Sequence, residues 1–140
     1  MGVTITDIER AQARIQPYVH RTPLMTSQLI DRSLGCELIF KTENLQKIGA
    51  FKARGACNAL FSTNNATLER GVITHSSGNH GAAFAWAAQL RQTACCVVMP
   101  RNAPKVKKDA VASYGAEIIF CEPSMASREA TVAALVAARG

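Results

Sequence analysis

The chain has 140 residues, a length that fits one compact domain with a buried core. Apolar residues make up 48% of it and charged residues 19%, which excludes an intrinsically disordered chain. No run approaches the roughly 20 apolar residues of a membrane span, and the first residues, MGVTITDIERAQARIQ, lack the apolar segment of a signal peptide. We therefore expect a soluble, cytoplasmic protein that does not bind a membrane.

Helical and extended patterns follow one another along the whole chain. The first helix is predicted from Thr6 and Glu9, which have the spacing of a capping box, and from the apolar positions that follow them. The predicted elements, in chain order, are a helix to about Gln16, an extended segment YVHRTPL (18–24), a helix at about 27–34 that ends at Gly35, a strand ELIFKT (37–42), a helix at about 52–63, a strand GVITHS (71–76), a helix at about 79–91, a strand ACCVVMP (94–100), a helix at about 105–114 that ends at Gly115, a strand AEIIFCE (116–122) and a helix at about 126–139.

The predicted strands are rich in Val and Ile and lack polar alternation, which is typical of a parallel sheet that is covered on both faces. Strands that alternate with helices at this spacing predict right-handed βαβ units. The fold class is therefore α/β, with a three-layer parallel sheet and helices on both faces. In such sheets ligands bind beyond the carboxyl ends of the strands, close to helix N-termini.

The basic charge and the cysteines carry weaker information. The formal net charge is +6, yet the positive residues are scattered and only PKVKK, 104–108, forms a cluster. No aromatic-basic interleaving or zinc-finger spacing accompanies it, so attraction for anionic small molecules is the favoured use of the charge, and nucleic acid is not an expected partner. The cysteines have no CxxC spacing and are predicted to be reduced core residues, with no metal site: Cys36, Cys57, Cys95, Cys96 and Cys121.

Lys52 is the first candidate for chemistry. It follows Phe51 at the predicted start of a helix, where the helix dipole and partial desolvation both favour a neutral amine. A neutral lysine amine can form a Schiff base with a carbonyl cofactor. Most lysines at helix starts are solvated surface residues, so this position alone leaves both interpretations open.

A second candidate is the loop HSSGNHG, 75–81, at a predicted strand-to-helix corner. It gathers hydroxyl, amide and imidazole groups beside free backbone amides, and such a set can bind a carboxylate. It matches neither a dinucleotide fingerprint nor a phosphate-binding P-loop. Helix capping by Ser and Asn is the ordinary alternative, and the loop by itself does not decide between them.

Three longer stretches, in this order, are similar to one known family: KTENLQKIGAFKARGACNAL, GVITHSSGNHGAAFAWAAQL and VVMPRNAPKVKKDAVASYGAEIIFCEPS. The chain resembles the serine racemase and serine/threonine dehydratase family, pyridoxal 5'-phosphate enzymes of the tryptophan-synthase-β-like fold. The resemblance extends to VHRTPLMTS near the start, and EPSMASRE favours the racemase branch. It implies racemisation of serine or β-elimination from serine or threonine, which yields an α-keto acid and ammonia.

The resemblance also implies roles for residues around the cofactor. Lys52 matches the Schiff-base lysine, and Phe51 matches the residue that packs beside the cofactor. Ser77 matches the catalytic hydroxyl that acts as acid and base on the face opposite the lysine in racemases. Asn79 matches the side chain that is bonded to the phenolic oxygen of the cofactor.

The amino-acid substrate has its own matches. Ser76, Asn79 and His80 match the loop that receives the substrate carboxylate. Arg128 matches a charged substrate contact in racemase-like members.

The sequence departs from the family in two ways. Ala50 and Ile48 stand where many relatives have serine and threonine. The family's second half, with its glycine-rich phosphate cup and divalent-cation site, has no counterpart here. We therefore expect 1–45 to be the N-terminal part of an incomplete large domain, and 46–140 to be a small α/β domain that carries the Schiff-base lysine and the serine loop.

Three hypotheses about the function follow. The first is a serine racemase or serine/threonine dehydratase polypeptide, truncated or encoded in pieces, that is active only with a missing C-terminal half. Its expected partners are an amino acid and either that half or a homo-oligomer. The second is an inactive fragment or a small-molecule-binding module without turnover. The third, more remote, is a basic domain that binds anions or nucleic acid through PKVKK.

Overall fold

The computed structural model describes residues 2–139, and in this range the elements follow the predicted alternation. The helices are α1 (Ile5–Ile15), α2 (Gln28–Leu34), α3 (Lys52–Ser62), α4 (Asn65–Leu68), α5 (Asn79–Leu90), α6 (Lys105–Ser113) and α7 (Met125–Arg139). The strands are β1 (Leu24–Met25), β2 (Phe40–Lys41), β3 (Val72–His75), β4 (Cys95–Pro100) and β5 (Glu117–Cys121). Two 3₁₀ turns, Glu43–Leu45 and Lys47–Gly49, lead into α3.

The main sheet is parallel, as predicted, with β4 in the centre between β3 and β5. Val72 of β3 lies opposite Cys95, and Cys96 lies opposite Glu117 of β5. A second, two-stranded sheet pairs β1 and β2 antiparallel. The predicted strand 37–42 is thus reduced to two residues, because β1 offers it only two residues to pair with.

Helices cover both faces of the parallel sheet, which confirms the predicted three-layer α/β class. Val97 and Met99 of β4 are fully buried in one cluster with Ala82 of α5 and Val111 of α6. Successive residues of a strand point to opposite faces, so Cys96 points the other way. On that side α7 packs across all three strands.

Helix α1 begins earlier than the sequence predicted, and its cap is a different pair of residues. Thr4 is the N-cap, and the capping box is closed by Asp7 instead of by Thr6 and Glu9. The Asp7 carboxylate accepts from the Thr4 backbone N–H at 3.0 Å, and the Asp7 N–H donates to Thr4 Oγ1 at 3.2 Å. The prediction was wrong because Thr4 and Asp7 have the same spacing as Thr6 and Glu9, and the shorter Asp side chain also closes a capping box.

The cysteines are free thiols, and three of the five are buried as predicted: Cys57, Cys96 and Cys121. Burial raises the pKa of the Cys57 thiol to about 11. Cys36 is exposed, so the prediction of a core role is wrong for it. Among residues 2–139, no three His, Cys, Asp or Glu side chains converge as a metal site, and no helix has the length and apolarity to cross a membrane.

The N-terminal segment exposes much of its apolar surface. Within residues 2–45 only Ile15 and Thr22 are buried. Ile15 packs with α3 and α5 in the core, whereas α2 buries none of its residues. The large apolar side chains exposed between β1 and the start of α3 are Leu24, Met25, Leu29, Ile30, Leu34, Ile39, Phe40, Leu45 and Phe51. An exposed apolar surface of this extent is typical of an interaction site.

A polar network ties the turns before α3 to that helix. Arg54 of α3 donates from Nε to Glu43 Oε2 at 2.8 Å and from Nη2 to Glu43 Oε1 at 2.7 Å. Thr22 donates its hydroxyl to Glu43 Oε1 at 2.6 Å, and Lys41 donates to the Thr22 carbonyl at 2.6 Å. The hydrogen bonds from Arg54, opposed in part by burial, hold the pKa of the Glu43 carboxyl at about 2.

Gln46 forms a second link in the same region. Its side chain is buried, accepts from the His20 N–H at 2.8 Å and donates to the His20 carbonyl at 2.8 Å. The next turn contains Ile48 at φ 57°, a backbone conformation that is strained for a β-branched residue. The surrounding contacts therefore hold a strained turn four residues before Lys52.

Replacement of Gly81 should destabilise the fold at the start of α5. A Cβ there would lie 3.1 Å from Val97 Cγ1, 3.2 Å from Ser76 Cβ and 3.3 Å from Val111 Cγ2. Because both valines are fully buried, we expect Gly81→Ala to cost about 1–3 kcal/mol in urea unfolding. Gly55→Ala is the control, since a Cβ there meets nothing within 4 Å and should stabilise α3 by up to about 1 kcal/mol. Equal urea midpoints for the two variants would contradict the packing described.

Glu43→Gln should remove a pH-dependent part of the stability. The folded-state pKa of Glu43 is about 2, below the ordinary 4.5, so its contribution is full above about pH 4.5 and is lost as the pH falls towards 2. Since both side chains are partly exposed, we expect about 2 kcal/mol at pH 7. The unfolding free energies of wild type and variant should converge at low pH. A constant difference across this pH range would contradict the assignment. Glu117→Gln, which removes an exposed ion pair, is the comparison and should show a smaller loss with the same pH dependence.

Candidate active site

Lys52 is the first residue of α3, as predicted, and lies beside the ring of Phe51. Its Nζ is 5.0 Å from the ring centroid, in a cation–π contact. Both side chains are exposed, and Phe51 retains 59% of its accessible surface. The described residues therefore do not supply the desolvation that the sequence predicted for this amine.

The serine loop connects the end of β3 to the start of α5. Ser76 is buried, and its Oγ accepts from the Gly78 N–H at 3.1 Å. Ser77, the next residue, is exposed. The two hydroxyls thus differ: Ser76 shapes the turn, while Ser77 is accessible to a small molecule.

His80 lies in the first turn of α5 and is half-buried. Its Nε2 is 3.1 Å from Thr74 Oγ1, and its ring lies 5.8 Å from that of Phe84. Burial lowers the pKa of His80, and the charges of Lys52 and His75 lower it further. A neutral imidazole at this point can orient a ligand through a hydrogen bond but adds no fixed positive charge.

Asn79, at the start of α5, is held by a lysine from the next helix. Lys107 of α6 donates to Asn79 Oδ1 at 2.6 Å. Because the amide oxygen is engaged, the NH₂ group of Asn79 is the part left to donate to a ligand. This contact also places the Lys107 ammonium group beside the serine loop, where its positive charge favours the binding of anions.

Arg128 lies apart from these residues, in the first helical turn after β5. The strand order places β4 between β3, which precedes the serine loop, and β5. Two strand spacings separate their ends by about 10 Å. The Nε of Arg128 is buried and has no hydrogen-bond partner among residues 2–139. The role of Arg128 as a substrate contact stays a prediction.

Two helix N-termini meet at the candidate site, since α3 packs against α5. The 3₁₀ turn Lys47–Gly49, which leads into α3, also contacts α5. The site offers the Lys52 amine, an accessible hydroxyl, an amide and the free N–H groups of a helix start. This donor set fits pyridoxal phosphate, since the amine can react with its aldehyde and the other groups can hold anionic oxygens. The roles assigned to individual residues stay predictions.

Sequence reasoning missed the network behind the site. Glu43, Thr22 and Gln46 were not singled out, although they fix the turns that lead to Lys52. The acid in KTENLQ and the base in FKARG are 11 residues apart, so no helical i,i+4 spacing marks them as partners. The available indication was an acid and a base on either side of a short turn that contains Gly49.

Comparison with known proteins identifies the relatives. Residues 15–140 match the family model described as "Pyridoxal-phosphate dependent enzyme". The serine racemase of Dictyostelium discoideum is 48% identical over 96% of this chain and 41% of its own length. The β-hydroxyaspartate dehydratase of Paracoccus denitrificans is 50% identical over 98% of this chain and 44% of its own.

The solved structure of maize serine racemase superposes with a TM-score of 0.97 at 48% identity. It covers 100% of this chain, which corresponds to 43% of the maize protein. The chain thus spans about two-fifths of the length of these relatives. The matched family model and the shared fold lead to one conclusion: this chain belongs to the pyridoxal-phosphate dependent enzymes.

Proposed function

We propose that this chain is the lysine-bearing part of a pyridoxal-phosphate enzyme that acts on L-serine or L-threonine. The reaction is racemisation, β-elimination to an α-keto acid and ammonia, or both. The observation that carries the proposal is the packing of α3, which begins at Lys52, against α5, which begins in the serine loop. Relatives named as a racemase and as a dehydratase, at similar identities, support both outcomes.

Lys52 and Ser77 carry the proton transfers in this proposal. Bound pyridoxal phosphate supplies an electron sink that acidifies the Cα–H bond of an attached amino acid. The Lys52 amine takes or returns the proton on one face, and the exposed Ser77 hydroxyl does so on the other. Two proton carriers on opposite faces give racemisation, whereas departure of the β-hydroxyl gives elimination.

The substrate carboxylate binds at the start of α5 in this proposal. Ser76 and Gly78 hold the turn by their mutual hydrogen bond, which leaves the N-terminal amides of α5 to face the anion. The NH₂ group of Asn79 and the imidazole of His80 add neutral donors, and Phe51 packs beside the cofactor. Arg128 is a candidate substrate contact. In this role its side chain reaches the substrate from the end of β5, on the far side of β4 from the serine loop.

We further propose that 1–45 belongs to a large domain completed by another polypeptide segment, and that 46–140 is the small domain. Residues 1 and 140 of these ranges lie outside the described residues. The exposed apolar side chains on β1, α2 and β2 support this division. The comparison with relatives supports it as well, since this chain spans about two-fifths of their length.

A second candidate function is a small-molecule-binding module without turnover. The exposure of both Phe51 and Lys52 favours it, because the described residues do not exclude water from the amine. Nucleic acid is not part of the proposal. The lysines of PKVKK donate hydrogen bonds within the chain, to Asp109, Asn79 and the carbonyl of Arg101.

Reductive trapping tests the reactive amine. The purified chain is incubated with pyridoxal phosphate, reduced with borohydride and mapped by mass spectrometry. We expect label at Lys52 well above that at exposed Lys105, because Lys52 begins the helix that packs against α5 and its anion-binding start, whereas Lys105 is paired with Asp109 on α6. Lys52→Arg should abolish that label, and Lys105→Arg should leave it unchanged. Uniform labelling of the lysines would contradict the proposed cofactor site.

The proton-transfer role of Ser77 is tested in an enzyme that is completed by fusion. The chain is fused to the remaining part of the Dictyostelium discoideum serine racemase, and D-serine and pyruvate are assayed from L-serine. Since Ser77 is the proposed proton carrier on one face, Ser77→Ala should lower D-serine formation by about 100-fold or more and pyruvate formation less.

Ser113→Ala is the control for this assay. It removes an exposed hydroxyl on α6 that donates to the carbonyl of Ala110, so neither product should change. Equal losses of both products in Ser77→Ala would contradict a face-specific role, and a fusion that forms neither product would favour the binding module.

A further inference from the structure

The first turn of α3, which carries Lys52, has no side-chain cap of its own. Phe51 is the N-cap residue and makes no side-chain hydrogen bond. Polar caps ordinarily fix the start of a helix by binding its free N–H groups. The direction of this helix start must therefore be set by contacts with other parts of the chain.

Arg54 supplies the strongest such contact. Both of its hydrogen bonds to Glu43 are short and together they form a two-pronged pair. A further bond runs from Arg54 Nη2 to the carbonyl of His20 at 3.1 Å. The Arg54 side chain thus joins the first turn of α3 to the 3₁₀ turn Glu43–Leu45 and to the extended segment before β1.

The geometry of a helix makes this contact relevant to Lys52. Residues two apart project roughly 200° from one another around the axis. Arg54 therefore anchors one side of the first turn while Lys52 extends from nearly the opposite side. A rotation of the helix start would move both, so fixing Arg54 fixes the direction of the Lys52 amine.

We propose that Glu43 and Arg54 are positioning residues for Lys52, which hold its amine at the serine loop. The inference rests on the proposed function, in which Lys52 is the amine that reacts with the cofactor aldehyde. Gln46 contributes to the same positioning. Its hydrogen bonds to the backbone N–H and carbonyl of His20 hold the strained turn at Ile48, which lies between Glu43 and Lys52 in the sequence.

The test compares the labelling of two lysines within the same molecule, so that a change in the position of Lys52 is distinguished from a loss of stability. Wild type, Arg54→Met and Glu43→Gln are trapped with pyridoxal phosphate and borohydride, well below their melting temperatures. The label at Lys52 is divided by that at Lys105 of the same molecule. We expect this ratio to fall about fivefold to tenfold in both variants, because misplacement of a reacting group is costly. A purely structural pair would lower the melting temperature but leave the ratio in the folded chain unchanged.

Arg139→Met is the matched control. Arg139 makes a similar two-pronged pair with Glu117, exposed and at the opposite edge of the sheet. Its loss should leave the ratio unchanged. Arg54→Lys is the second variant in case Arg54→Met does not fold, since it keeps the charge but not the planar fork, and its ratio should lie between those of wild type and Arg54→Met.

Amide hydrogen exchange gives a reading without cofactor. Arg54→Met should speed exchange at the start of α3 by at least about fivefold and leave α6 unchanged. If wild type favours Lys52 and every Arg54 and Glu43 variant retains its ratio, the positioning role is overturned and the proposed function stands. If wild type itself shows no preference for Lys52, the proposed function and this inference are overturned together.

Discussion

Close packing of α3 against α5 is the constraint on which the site depends. The contact is built from small side chains, with Ala53, Ala83 and Ala87 fully buried. Alanines allow the two helices to approach closely and to bury backbone as well as side chains. Both helices begin at the same end of the sheet, so their N-termini, Lys52 and the serine loop come together there.

Electrostatics at this end follows from the same packing. Two helix N-termini, Lys52 and Lys107 concentrate positive potential near the serine loop. Burial, together with the charges of Lys52 and His75, lowers the pKa of His80 there. The positive field favours the anionic oxygens of a phosphate or carboxylate. The neutral donors Asn79 and His80 can orient such an anion, and the Ser77 hydroxyl is exposed beside them.

The core elements could be predicted because their patterns are local. Apolar runs such as CCVVM and Gly115 after α6 mark a strand and a helix end by themselves. The start of α1 was misplaced, since Thr4 with Asp7 and Thr6 with Glu9 offer competing caps of the same spacing. Strand β2 was overestimated because the length of a strand is set by its partner, here the two residues of β1.

The sequence by itself determined the α/β class, the family, and the identity of the lysine and serine-loop candidates, because these are carried by contiguous patterns and by ordered motifs. Only the tertiary structure decided how they are held. Glu43, Thr22 and Gln46 contact groups 11 to 26 residues away, and the bond from Lys107 to Asn79 spans 28. Such contacts depend on how separate elements pack, so no local pattern encodes them. The same holds for the exposure of Lys52, which is set by what packs around it.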